Sequence, residues 1–285
     1  MNTHSHPPVS EPASTHSNQD PPAEAGFSQV DLLTVIVVLA LLGLLLCPAL
    51  ARTVVTDQTL QCRNNLRQLI HGWQMYADDN SGKLPNCFDW VHGALNYNGG
   101  GGGGTDDTNI TYLLNGMLGP YVKAADVYKC GADMSKSFGT RGDPRVRSYS
   151  MSQSFCIASW GHLEDADSPP NYWRHYTNTT DMVAPSPVNL WVMLDESPDS
   201  INDGAFAVAM SGNSQTSTKW QDGPSTLHDG GCGIAFADGH YEIKKWTDPR
   251  TLALKVTYTS SFPYGYYQAN NPDIKWLRER TTAPK

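Results

Sequence analysis

Residues 32–51 form a run of twenty positions without a charge. At an α-helical rise of about 1.5 Å per residue they cover about 30 Å, the thickness of a bilayer's hydrocarbon core. The run has no polar face, so in water such a helix would have to be buried all round. Beyond it the pattern changes. Leu66, Leu69, Ile70, Trp73 and Ala77 recur at i, i+3, i+4, i+7 and i+11, the stripe of an amphipathic helix. Asn80-Ser81-Gly82 is a stop signal. One helix over 28–79 is therefore predicted, on the order of 75 Å long, with a kink at Pro48.

After Gly82 the period shortens. Residues 145–152 alternate and predict a strand. Leu190-Trp191-Val192-Met193-Leu194 is a short continuous apolar run, the mark of a buried strand. Residues 233–237 and 241–243 flank Asp238-Gly239, a strong hairpin signal. Residues 113–122 read as a short broken helix, and Trp276 and Leu277 as a last segment packed on the core. Asn98 and the six glycines after it read as a flexible loop. They are not a phosphate loop, because no Gly-Lys-Ser/Thr follows. The sum is an α+β protein: a long N-terminal helix, with a membrane half and an amphipathic half, packed on an antiparallel β-sheet domain. The expected boundaries are a disordered leader at 1–26, an apolar helix at 27–52, its amphipathic continuation at 53–82 and a β-rich globular domain at 83–285.

Composition adds limits. Residues 1–25 are rich in Pro, Ser, His, Asn and Gln and cannot bury enough surface to fold. A net charge of −8 lacks the electrostatic footprint of a nucleic-acid binder. The leader holds no Lys or Arg, whereas Arg52, Arg63 and Arg67 follow the apolar run. The positive-inside rule taken alone would put the large domain in the cytoplasm. The run itself can be read as a plain membrane anchor, or as a signal peptide ending at Ala49-Leu50-Ala51.

Candidate chemistry lies in four places. Asp195, Glu196, Asp199 and Asp203 crowd into nine residues with Asn202 and Gly204, and could supply oxygen ligands to calcium; a self-capped acidic turn is the plainer account. His228, Asp238 and His240 could form a metal or acid–base cluster, though a structural hydrogen bond at one end of the hairpin accounts for His228 as well. Trp160, His162, Trp173, His175 and Tyr176 could contact a sugar or a partner, or anchor a loop. Besides Cys47, five cysteines (Cys62, Cys87, Cys130, Cys156 and Cys232) are widely spaced, with no CxxC. One or two disulfides or five reduced thiols fit equally. No HExxH, GxSxG or triad order is present, so no enzyme is expected.

Gly26-Phe27-Ser28-Gln29-Val30-Asp31 followed by an apolar run resembles the N-terminus of type IV prepilins and type II secretion pseudopilins. Cys62-Arg63-Asn64-Asn65-Leu66-Arg67 and Met75-Tyr76-Ala77-Asp78-Asp79-Asn80-Ser81-Gly82-Lys83-Leu84-Pro85 resemble a pilin-like family abundant in Verrucomicrobia and Planctomycetes. His228, nine residues and then Asp238-Gly239 match its H-x9-DG C-terminal signature. The resemblance implies cleavage between Gly26 and Phe27 by a prepilin peptidase, with methylation of Phe27. It implies that Asp31, standing where the family has Glu, meets the N-terminal amine of a neighbouring subunit. It implies an inner-membrane, single-pass protein whose globular domain is periplasmic or extracellular. Its partners would be the peptidase, membrane lipid, other pilin-like subunits and the inner-membrane parts of a secretion or pilus system. It calls for no cofactor; calcium in a C-terminal loop, as in some pseudopilins, points again to the acidic turn. A membrane-anchored or secreted binding module, with a ligand such as polysaccharide, is the alternative.

Overall fold

The computed structural model describes Met1 and residues 28–101, 104–156, 172–210, 218–259, 262 and 265–285, with backbone alone at 43–56 and 266. The expected leader, with Gly26 and Phe27, lies outside the described residues, as do Trp160 and His162. So do the side chains at Pro48, where a kink was expected, and at Ala49-Leu50-Ala51. The chain divides into two units, Met1–Ala49 and Leu50–Lys285. Its architecture is mixed helix and sheet, with antiparallel sheets.

The longest element is α1, Gln29–Asp79. Ser28 caps it: the Ser28 N–H donates to Asp31 Oδ2 at 3.0 Å and the Asp31 N–H donates to Ser28 Oγ at 3.2 Å. This reciprocal pair satisfies two N-terminal donors that a helix leaves free. Every residue over 28–42 is exposed. Among the described residues, no helix is long and apolar enough to cross a membrane. The C-terminus of α1 closes as the sequence predicts. Ser81 takes φ +57° and Gly82 φ +82°, and the Gly82 N–H donates to the Ala77 carbonyl at 2.8 Å.

The main sheet has five strands in the order β5-β3-β4-β7-β8. They are β3 (Tyr149–Ser152), β4 (Trp191–Asp195), β5 (Ala205–Phe206), β7 (Gly231–Phe236) and β8 (Tyr241–Lys245). All pairings are antiparallel except the short β3–β5 contact. Two small ribbons pair β1 (Lys136–Phe138) with β2 (Arg141–Pro144), and β6 (Lys219–Trp220) with β9 (Tyr266–Tyr267). Short helices α2 (Thr111–Leu114), α3 (Gly119–Val122), α4 (Pro249–Leu252) and α5 (Pro272–Arg278) complete it. The strand expected over 145–152 is shorter than predicted and begins at Tyr149, because Arg145 and Arg147 are buried and spent on other contacts.

The sheet's two faces feed two apolar clusters. One holds Cys62, Leu66, Leu69, Ile70, Trp73 and Ala77 of α1 with Met151, Val192, Met193 and Ala235. The other holds Trp191, Leu194, Cys232, Ile234 and Phe236 with Ile274 and Leu277 of α5. Burial on both faces explains why β4 reads as a continuous apolar run rather than an alternating one. The predicted stripe is buried to 3 % exposure or less at every position. Each large apolar side chain so buried contributes about 1.5–3 kcal/mol. The hairpin also forms as predicted: Ala235 pairs with Tyr241, and Gly239 takes φ +96° in the turn. The glycine run does not behave as a free loop in its described part. The Gly99 N–H donates to the Ser137 carbonyl, the Gly101 N–H to the Ala94 carbonyl, and the Gly100 N–H to Asn96 Oδ1.

One position tests the packing directly. A Cβ on Gly233 would stand 2.6 Å from Leu66 Cδ1 and 2.7 Å from Cys62 Sγ. Gly233→Ala should therefore destabilise the protein by about 1–3 kcal/mol, the usual cost of overpacking. A lowered urea midpoint with an unchanged slope is the expected reading; an unchanged midpoint would mean that this contact is loose.

Candidate functional site

The acidic stretch at the end of β4 is largely buried: Asp195, Glu196 and Asp199 are buried, Asp203 is half-buried and Asn202 is exposed. Arg145 donates to the Pro198 carbonyl at 2.8 Å and to the Ile201 carbonyl at 3.1 Å, which occupies the backbone oxygens of the turn. Its carboxylates point to separate partners. Asp199 accepts from the Tyr97 hydroxyl, from the Thr257 N–H and hydroxyl, and from the Thr259 N–H. Glu196 accepts from the Ser200 hydroxyl at 2.7 Å, which in turn accepts from the Gly223 N–H. Asp203 accepts from the Ala205 N–H. Asp195 turns away to other company. Among the described residues, Asp195, Glu196, Asp199 and Asp203 thus form no common ligand centre for calcium.

The hairpin residues do not converge either. Asp238 Oδ1 pairs with His240 Nδ1 at 2.6 Å, and the His240 ring stacks on Phe236 with centroids 4.1 Å apart. His228 precedes β7, whose six residues separate it from that turn by about 20 Å of extended chain.

His228 instead completes a different group. Cys62 of α1, Cys130, Asp195 at the end of β4, and His228 bring two thiols, a carboxylate oxygen and a ring nitrogen within 4.8 Å of one another. His228 Nε2 lies 3.2 Å from Cys130 Sγ and 3.4 Å from Asp195 Oδ2. His228 Nδ1 lies 3.3 Å from the Thr59 hydroxyl of α1. The Tyr149 hydroxyl donates to Cys62 Sγ at 3.2 Å. All four residues are at most 1 % exposed. Both carboxylate oxygens of Asp195 are buried without a hydrogen-bond partner in good geometry.

The electrostatics follow from this burial. The neighbouring Cys62 thiol and desolvation push the Cys130 thiol well up. Desolvation also pushes Asp195 up, against the pull of His228. Burial disfavours a charge on His228, but its close contacts with Asp195 and Cys130 prevail and raise it to about 10. A Cys130 thiol so raised, and two sulfurs closed off from solvent, are not poised as nucleophiles, which need thiolate character and access. The group is a set of donors around a point.

Among the described side chains the remaining cysteines are one disulfide, Cys87–Cys156, and one buried thiol, Cys232, which sits on the opposite face of the sheet. Of the aromatics predicted to contact a ligand, Tyr176 is buried and donates to the Ala184 carbonyl, and His175 Nδ1 lies 3.2 Å from the Cys156 carbonyl. Trp173 lines a cavity of about 320 Å³ with Met210, Lys275, Arg278 and Pro284. Comparison with known proteins finds no matching family model, no matching curated protein and no matching solved structure.

A pH dependence arises from the same acidic region. Asp222 accepts from the Ala207 N–H, and desolvation pushes its carboxyl up to about 7, with Asp203 adding repulsion. Its unfolded value is near 3.9. The native state therefore holds the proton more tightly, and the stability this contributes is full below about pH 4 and lost as pH rises through about 7. Asp222→Asn keeps an acceptor for Ala207 but removes the titration. Its melting temperature should fall less across that window than the parent's. Some fall should persist, because desolvation also raises Glu196 and Asp203. Parallel melting curves for the two proteins would refute the assignment to Asp222.

Proposed function

We propose that this chain is a structural, pilin-like subunit of a type II secretion or type IV pilus-like filament. The observation that carries this reading is α1: its residues over 28–42 are exposed and largely apolar, while its stripe from Cys62 to Ala77 belongs to a core. A helix with an uncovered apolar N-terminal part needs lipid or other copies of itself to cover it. In this reading the sheet domain packs along the outer half of the long helix, and the apolar half stands in the inner membrane until assembly. Repetition of one heterologous helix contact then makes an open filament. The Cys87–Cys156 disulfide supports a periplasmic or extracellular domain, since such bonds persist in oxidising compartments. Prepilin peptidase would cut between Gly26 and Phe27 and methylate Phe27. The Ser28–Asp31 cap holds the carboxylate of Asp31, four residues after that new terminus, against the N–H of Ser28, ready for a neighbour's amine.

The test is the intact mass and N-terminal sequence of the protein from native membranes. A start at Phe27 carrying a methyl group is expected. A start at Arg52 would mean release by signal peptidase, and an uncut Met1 would mean a plain anchor; either sinks the filament reading. Asp31→Asn should abolish assembly while the domain still folds, because it keeps an acceptor for the cap and removes only the charge.

A further inference from the structure

We propose that Cys62, Cys130, Asp195 and His228 form a closed, structural binding site for a single zinc-class divalent metal ion. The donor chemistry is that of zinc: two sulfurs, one imidazole nitrogen and one carboxylate oxygen. A tetrahedron with bonds of about 2.0–2.3 Å has edges of about 3.3–3.8 Å. The two measured edges, 3.2 Å from Cys130 Sγ to His228 Nε2 and 3.4 Å from His228 Nε2 to Asp195 Oδ2, already lie close to that shape. The remaining atoms stand within 4.8 Å.

Three observations point to an ion rather than to chance packing. The first is Asp195, whose two oxygens are fully buried and meet no donor in good geometry. A buried carboxylate with one 3.4 Å approach from His228 and no well-aligned hydrogen bond is costly, and a cation at the centre of the group removes that cost. The second is the outer partner of His228. Its Nε2 faces the ligand atoms while Nδ1 faces the Thr59 hydroxyl, the arrangement that fixes the tautomer of a metal-bound imidazole. The third is the origin of the ligands. They come from α1, from the segment after a turn of 3-10 helix at Ala125–Tyr128, from the end of β4 and from the segment before β7. An ion there ties four separated stretches of chain, and its binding energy becomes folding energy. On binding, the two thiols and the His228 ring each release a proton to solvent, so that both sulfurs bind as thiolates and His228 through its neutral Nε2, and no redox step is involved. Full burial leaves no open position for water or substrate, so the site is structural. The inference is independent of how the N-terminal segment is processed.

The experiment uses the full chain, purified in detergent from zinc-replete cells without added reductant. Elemental analysis should find one zinc per chain, and exchange into cobalt(II) should give the visible bands of a tetrahedral ion with thiolate charge-transfer bands in the near ultraviolet. Cys232→Ser should keep both signals, and Cys130→Ser should lose the charge-transfer intensity or the metal. Thr59→Val should weaken metal affinity by about 10–100-fold in chelator competition, while the coordination spectrum keeps its shape. A metal-free parent protein that stays folded and gives no cobalt spectrum would overturn the proposal. So would a native Cys62–Cys130 disulfide found by peptide mapping. Both of these readings come from the parent protein, so they stand even where a ligand variant fails to fold.

Discussion

The absence of a side chain at Gly233 is the constraint on which much of the rest depends. It lets β7 come within van der Waals reach of Leu66 and Cys62. That approach seals one apolar cluster, in which Trp73 stacks edge-on against Phe155 at 5.6 Å. It also sets where Cys62 and Thr59 stand. Both reach the group around His228 only because this turn of α1 lies so near the strand that follows His228. A larger residue at 233 would push the helix off the strand and separate one thiol from the other three donors. Close packing and polar chemistry are thus coupled through one glycine.

Buried charge is the second organising theme. The domain inters Arg145, Arg147, Asp107, Asp133, Asp195, Glu196, Asp199 and Asp222. Most are matched locally. Lys129 and the Ser148 hydroxyl meet Asp133, Arg145 reaches carbonyls of the acidic turn, and Tyr97 lies under the Arg145 guanidinium at 4.8 Å. Such networks are stable only when each member finds a partner, because an orphan in low dielectric costs more than a made bond returns. Asp107, Glu196, Arg145 and Arg147 each keep one buried polar atom without a hydrogen bond, and Asp195 keeps both carboxylate oxygens so, with only the 3.4 Å approach of His228 Nε2 and two thiols beside it.

Periodicity made the helix stripe and the hairpin legible. Leu66, Leu69, Ile70, Trp73 and Ala77 repeat at helical spacing, and Asp238-Gly239 has one favoured use between apolar runs. The group at His228 leaves no local trace. Its members lie at 62, 130, 195 and 228, each alone in its own stretch, and only the crossing of α1, β4 and β7 gathers them. The spacing from His228 to Asp238-Gly239 is real, but the two ends serve different neighbourhoods. Composition misled twice. Four acids within nine residues suggested solvent or calcium, whereas Arg145 binds the carbonyls of their turn and separate hydroxyl and backbone donors take Glu196, Asp199 and Asp203. A glycine run suggested freedom, whereas Asn96 and the Ala94 and Ser137 carbonyls lace its first half to its surroundings.

The sulfur chemistry joins these themes. Cys87 and Cys156 are covalently joined, while Cys62 and Cys130 lie as near neighbours in the same domain and remain thiols. An environment that oxidises the first pair also threatens the second. Burial slows attack on the second pair but does not remove the driving force for oxidation. A divalent ion at the proposed site would: it would hold both sulfurs as coordinated thiolates, fix them at the separation of two tetrahedral ligands rather than of a disulfide, and take over from the His228 ring the role of counter-charge to Asp195. The proposed ion would account for the coexistence of a disulfide and an intact thiol pair in one domain, since it would protect the sulfurs, neutralise the carboxylate and tie α1 to the sheet.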